Sequence, residues 1–439
     1  MKVLVIGSGG REHAICWHLS ERGSGHEIYC APGNVGIERH ATLVPIAVDE
    51  IQALADFATD LQIDLTIVGP ELPLSLGLVD EFRNRGLPVY GPSRSAAELE
   101  ASKIFAKEFM QRHDVPTADF EIAHDAQEAK RAVEAIGLPL VMKADGLAAG
   151  KGVLIVRNQA DLDEAMDLFY EQKRFGASGA RVLVEPFIVG EEVSFMGFCD
   201  GQRFLPLATS KDYKRIGEGD VGANTGGMGA HSPSGIVDAE QSAEVLEKVM
   251  RATVAGMAAE GNPFIGILYA GLMMSEDGPK VLEFNVRLGD PEAQALLLRL
   301  DQDLGELLLA GARGDFGTNR LDFRQEAACC LVLAAEGYPE SAVKGAAIQG
   351  LDAAAQQAGV EIFHAGTKAG ETEGSFVVSG GRVLNVCATG RNLRTALKKA
   401  YDAAKEIRWP GLQIRSDIGK RVVEAESMLE SGIFKLPKT

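Results

Sequence analysis

Short apolar runs alternate with amphipathic stretches through the first hundred residues. "KVLVIG" (2–7), "HEIYCA" (26–31), "IDLTIVG" (63–69) and "LPVYG" (87–91) read as strands closed by glycine or proline, with an amphipathic helix at 74–86. Strands alternating with helices predict a parallel sheet with crossover connections, an α/β unit. Near residue 118 the pattern changes. "ADFEIAHDAQEAKRAVEAIGLPLVMKADG" and "KGVLIVRNQADLDEAMDLFYEQ" each pass between strand and helix, and "ARVLVEPFIVGEEVSFMGFCDGQRFLPLA" follows as several strands, the last pair turning at "CDGQ". This predicts a small α+β insertion. A long helix near 238–260 and strands at 265–274 and 279–284 come next. From about 326, "AACCLVLAAEG", "VEIFHAGT" and "SFVVSGGRVLNVCATG", with a helix near 392–407, predict a β-rich terminal region.

Composition narrows the function. The 439 residues carry 46% hydrophobic and 24% charged side chains, the balance of a globular chain with room for several domains. A net charge of -18 argues against a nucleic-acid surface, which needs a basic face. No apolar run reaches membrane-spanning length, so no membrane partner is expected. The N-terminus runs straight into a strand, without the pattern of a signal peptide. The six cysteines show no CxxC pairing and no histidine at zinc spacing, so buried, reduced thiols and a cytoplasmic location are expected.

Several stretches can carry chemistry. "VLVIGSGGREHA" resembles a dinucleotide fingerprint, but Glu12 stands where GxGxxG needs glycine, and the second strand ends in Cys30 and Ala31 instead of an acidic residue. The glycine turn is then either structural or an anion site at a helix N-terminus. "VMKADGLAAGKGV" (141–153) is not a P-loop, because Gly152 follows Lys151 where a hydroxyl belongs. It reads as two antiparallel strands, "LVMKAD" and "GVLIV", around a glycine tip that can fold over a phosphate chain or form an ordinary hairpin. "VLVEPFIVGEEV" places Glu185 and Glu192 on either side of a short linker. In "VLEFNVRLGDPEAQ" (281–294), Glu283, Asn285 and Arg287 alternate and share one face. Glu and Asn oxygens suit a hard cation such as Mg²⁺, and Arg287 can neutralise a transferring phosphoryl group. Asp290, followed by Pro291, also reads as a simple N-cap with proline at N1. "KDYKR" (211–215) clusters cations in an acidic chain, and "NTGGMGAHSP" (224–233) reads as a glycine loop without regular structure.

In their order along the chain, these stretches resemble the ATP-grasp superfamily and, within it, the glycinamide ribonucleotide synthetase family. "TIVGPELPL", "YAGLMM" and "HAGT" add to the likeness, which runs from Met1 to about residue 425. The resemblance implies an N-terminal Rossmann-like domain (1–102), an ATP-grasp core (103–118 and 190–325), a lid subdomain (119–189) and a β-rich C-terminal domain (326–439). It implies that Lys103 and Lys143 contact phosphates under a loop containing Gly146, Gly150, Lys151 and Gly152. Glu185 and Phe187 would lie in the linker that reads adenine, and Glu192 would hold ribose. Glu283 and Asn285 would hold Mg²⁺ or Mn²⁺. Asn224, Gly226 and Gly227 join the nucleotide contacts, and Gly9 and Gly10 would meet a ribose phosphate. Lys211, Asp212, Arg287 and Asp290 fall at the reacting centre. Ala270 and Gly271 stand where many ATP-grasp enzymes carry a second acidic ligand, so Glu283 either bridges two ions or a single ion is firmly held. The implied reaction joins glycine to 5-phosphoribosylamine at the expense of ATP, through a glycyl phosphate, in a chain expected to be monomeric. Another ATP-grasp ligase, a non-catalytic ATP-binding module and an NAD-dependent oxidoreductase are the competing readings.

Overall fold

The computed structural model describes residues 1–147 and 152–430. The N-terminal sheet has five parallel strands in the spatial order Thr42–Leu43, Glu27–Pro32, Lys2–Gly7, Leu65–Val68, Val89–Tyr90. Its strands are continuous apolar runs because helices cover both faces. The strand at Thr42–Leu43 is too short to have shown in the sequence pattern. The helix expected over 74–86 is broken into Glu71–Ser75 and Leu78–Asn84 by Gly77, whose φ of +90° glycine adopts without strain.

Ser102 caps the helix Lys103–Arg112 by accepting from the Phe105 N–H at 3.1 Å, which fixes Lys103 at its first turn. Beyond it lies the insertion, a four-stranded antiparallel sheet ordered Glu121–Ala123, Val182–Pro186, Leu140–Ala144, Val153–Val156. It has its own core, in which Ala123, Met142 and Val184 pack under the helix Ala126–Ile136. A second antiparallel sheet follows, ordered Phe204–Pro206, Glu191–Asp200, Ile265–Ser275, Gly278–Asn285.

The last large sheet mixes distant parts of the chain, in the order Lys211–Asp212, Gly229–Ser232, Ala327–Ala334, Arg382–Gly390, Val360–His364. The glycine stretch 224–233 is therefore not all loop: Gly229–Ser232 is a buried strand. Hydrogen bonding to Ala327–Ala334 supplies the order that the local sequence lacks. Residues 215–224 form a separate two-stranded hairpin. All six cysteines are buried and unpaired. Among the described residues no helix is long and apolar enough to cross a membrane.

Candidate active site

A cleft of about 840 Å³ opens where the carboxyl ends of the N-terminal parallel strands meet the sheet of the insertion and the strand Gly278–Asn285. Ligand sites in α/β sheets form at such strand ends. Lys103, Lys143, Gly146, Gly152, Glu185, Phe187 and Glu192 line it, as do Lys211, Asp212, Asn224, Gly226, Glu283, Asn285, Arg287 and Asp290. Gly150 and Lys151 lie outside the described residues.

Lys143 is fixed by its place on the strand Leu140–Ala144, and its Nζ donates to the Leu282 carbonyl at 3.0 Å. The Lys103 ammonium faces the cleft with no hydrogen bond or ion pair among the described residues. Glu283 lies opposite Gly271 on the neighbouring strand, so no second carboxylate faces it from that position. Burial alone would raise the Glu283 pKa, but Lys214, Lys103, Lys143 and Arg287 outweigh it and hold the group at about 2. Lys214 reaches Glu283 Oε1 at 3.5 Å and Glu192 Oε1 at 2.5 Å. Arg287 is pinned by Glu100 at 2.8 Å and donates to Asn285 Oδ1 at 2.9 Å, while its buried Nε lies 3.5 Å from Glu71 Oε2. Among the described residues no cluster of three or more His, Cys, Asp or Glu could hold a metal. Glu283 and Asn285 give two oxygen donors on one wall, which fits Mg²⁺ or Mn²⁺ completed by phosphate oxygens and water.

Asp212 lines the same cleft and has a buried Oδ1 with no hydrogen-bond partner. Burial first, and then the nearby Glu292 carboxylate, push its pKa well up. Glu292 itself accepts from Tyr269 Oη at 2.7 Å and from Ser194 Oγ at 3.2 Å. Lys211 sits 3.4 Å from Glu191 and over the Tyr213 ring.

Several expectations change. Asp290 is not an N-cap: Pro291 takes that position before the helix Glu292–Arg299, and Asp290 accepts from Gln294 at 2.8 Å and faces Arg382 at 3.3 Å. The Glu185 carboxylate is not free for a nucleotide, because the strand Val182–Pro186 places it between the ammoniums of Lys107 and Lys143. The Gly9 amide is already taken by Glu12 Oε2 at 2.6 Å. Gly10 and Gly227 do not line the cleft. A Cβ on Gly10 would come within 2.2 Å of Asn385, and one on Gly227 within 2.4 Å of Pro291, so both are glycines for close packing. Glu12 also explains why the first turn is no dinucleotide site: its side chain fills the space beside Gly7 and Gly69.

Arg382, Lys214, Glu292 and Lys107 also take part in or support the site, although none stands in a motif that assigns it a role. Lys214 stands in the cation cluster "KDYKR", whose charge is the one local signal for it. Arg382, in "SGGRVLN", donates to the Gly226 and Asp290 carbonyls at 2.6 Å each, and nothing local marks it.

The two-sheet clamp around a lysine-lined cleft defines an ATP-grasp ligase. Residues 1–100 match the phosphoribosylglycinamide synthetase N domain, residues 101–293 its ATP-grasp (A) domain and residues 328–421 its C domain. The chain belongs to the phosphoribosylglycinamide synthetase family. It is 47% identical over 426 residues to a phosphoribosylamine–glycine ligase of Brucella melitensis, covering 97% of this chain and 99% of the relative. The crystal structure of the phosphoribosylamine–glycine ligase from Thermotoga maritima superposes with a TM-score of 0.82 at 34% identity, over 95% of this chain and 100% of the other. The fold alone is shared with the biotin carboxylase domain of the Hydrogenobacter thermophilus 2-oxoglutarate carboxylase, solved with ADP, magnesium and bicarbonate (TM-score 0.72, 17% identity, 100% of this chain and 99% of the other).

Proposed function

We propose that the cleft joins glycine to 5-phosphoribosylamine, converting ATP to ADP and phosphate and giving glycinamide ribonucleotide, a step of purine biosynthesis. The observation that carries this reading is one cleft lined both by the ammoniums of Lys103 and Lys143 and by the Asp212 carboxylate, whose Oδ1 has no hydrogen-bond partner. The ammoniums suit a triphosphate and the carboxylate an ammonium group.

A carboxylate resists attack by an amine, so a glycine oxygen first takes the γ-phosphoryl group and ADP leaves. The amine of phosphoribosylamine then attacks the carbonyl of glycyl phosphate, and phosphate departs. No enzyme nucleophile is needed, so the protein contributes position and charge. Lys103 and Lys143 hold the phosphates. The backbone of the linker at Phe187 faces adenine, and Glu192 the ribose. Asp212 takes the glycine ammonium, and the Arg287 guanidinium, which lines the cleft, directs positive charge at the transferring group. Glu283 and Asn285 would hold Mg²⁺ or Mn²⁺, which would neutralise phosphate charge. With Gly271 opposite Glu283, one firmly held ion is the simpler arrangement.

The six buried thiols fit a reducing, cytoplasmic compartment, and the chain is taken to act as a monomer. The test is ADP release measured with glycine and freshly made phosphoribosylamine, singly and together. Steady release that needs both, with glycinamide ribonucleotide formed in equal amount, supports the reading, and steady release that does not need glycine overturns it.

A further inference from the structure

Lys107 does not line the cleft, yet it is 2% exposed, a costly position for an ammonium group. It lies one helical turn beyond Lys103, facing inward from the helix Lys103–Arg112. Its Nζ donates to Thr117 Oγ1 at 2.7 Å and to the Ala118 carbonyl at 3.2 Å, where the chain enters the lid. It also lies 2.6 Å from Glu185 Oε2, in an ion pair. The other oxygen of Glu185 pairs with Lys143. A carboxylate that is 3% exposed is thus shared by two ammoniums, leaving one net positive charge in the group.

We propose that Lys107 is a positioning residue: by engaging one oxygen of Glu185 it keeps that carboxylate from neutralising Lys143, so the Lys143 ammonium stays directed at the phosphates of ATP. Paired with Glu185 alone, Lys143 would form a neutral couple with little pull on an anion. Without Glu185, the two ammoniums would repel each other across a buried space. The carboxylate lets both lysines be buried, and Lys107 leaves Lys143 its charge. This inference rests on the reading that Lys143 meets the triphosphate.

The test uses the full chain with Lys107→Met, Lys107→Arg, Lys107→Met/Glu185→Gln and Lys143→Met, measuring MgATP binding by calorimetry and KM for ATP and glycine separately. Lys107→Met should weaken ATP about ten- to a hundredfold, the usual size of one charge-assisted contact, with KM for glycine unmoved. The double variant, which removes the stranded carboxylate as well, should recover most of that loss, and Lys107→Arg should retain ATP affinity. A structural role alone would give additive losses. If the double variant binds ATP no better than Lys107→Met, or if folded Lys107→Arg loses ATP, the proposal is overturned. Should Lys107→Met fail to fold, the double variant and Lys107→Arg decide by the same criteria, each against the wild-type protein. If Lys143→Met leaves ATP binding unchanged, the phosphate assignment itself fails. A loss there without rescue in the double variant removes only the role of Lys107.

Discussion

Glu283 and Asp212 are both carboxylates in one cleft, and their surroundings drive them in opposite directions. Four cations hold Glu283 ionised, to about 2, while Asp212 is buried beside Glu292 and is pushed well up. An ionised oxygen suits a metal, whereas a carboxylate whose charge is poorly stabilised gains most from an incoming ammonium. Glu283→Ala should therefore cut turnover by a few hundredfold, as loss of one charge-stabilising element typically does, with an unchanged circular dichroism spectrum. Normal turnover with unchanged metal dependence would remove the assignment. Asp212→Asn keeps the shape and removes the charge. It should raise KM for glycine about ten- to a hundredfold while moving KM for ATP little, and steady-state kinetics with each substrate varied will show whether the effect is confined to glycine.

At the scale of elements, the hairpin 215–224 is held by the far end of the chain. Arg415, 1% exposed, pairs with Asp220 at 2.8 Å and Asp417 at 2.7 Å, donates to the Arg215 carbonyl at 3.0 Å and lies over the Tyr213 ring. Asp417 in turn accepts from the Gly219 N–H at 2.8 Å. Lys214 and Asn224 border the hairpin and face the cleft, so this clamp sets how a substrate-facing wall is held. Arg415→Met should destabilise the protein by roughly 3 kcal/mol, the lower range for breaking a buried pair, since Asp220 is half exposed and solvent screens it. Amide exchange across 215–224 should accelerate more than exchange in the N-terminal sheet. Equal acceleration in both would mean that Arg415 only supports global stability.

Across the whole molecule, buried histidines set a pH limit. Burial holds His18, His231 and His364 at about 4, against an ordinary 6.5, and lowers His13 as well. Because the folded values lie below the unfolded one, the unfolded chain binds more protons between them. The stability is complete above about pH 6.5 and is lost as pH falls toward 4. At pH 5 each of the three costs roughly 2 kcal/mol relative to neutral pH. Urea unfolding at pH 7, 6 and 5 should show a steep fall in midpoint, and a flat profile would contradict it. His13 and His364 meet where the N-terminal helix Gly10–Glu21 packs on the strand Val360–His364, with the His364 N–H donating to His13 Nδ1 at 2.8 Å. Loss of stability should therefore begin at that contact.

The strands, their glycine ends, the lid hairpin and the Glu283–Asn285 pair were legible in the sequence because each depends on period and residue type over a few positions. A strand places Glu283 and Asn285 on one face whatever surrounds it, and the aligned motifs carried the family likeness. Partner choice was not legible. Glu185 reads equally well as a nucleotide ligand until the lid strand sets it against Lys107 and Lys143. Asp290 reads as a helix cap until Arg382, 92 residues away, reaches it, and Gly9 as an anion site until Glu12 takes its amide. The stretch at 229–232 becomes a strand only because Ala327–Ala334 lies beside it. Local period fixes where a side chain points along its own element, but burial and the approach of distant segments decide which opposite charge it meets and whether water remains to screen it.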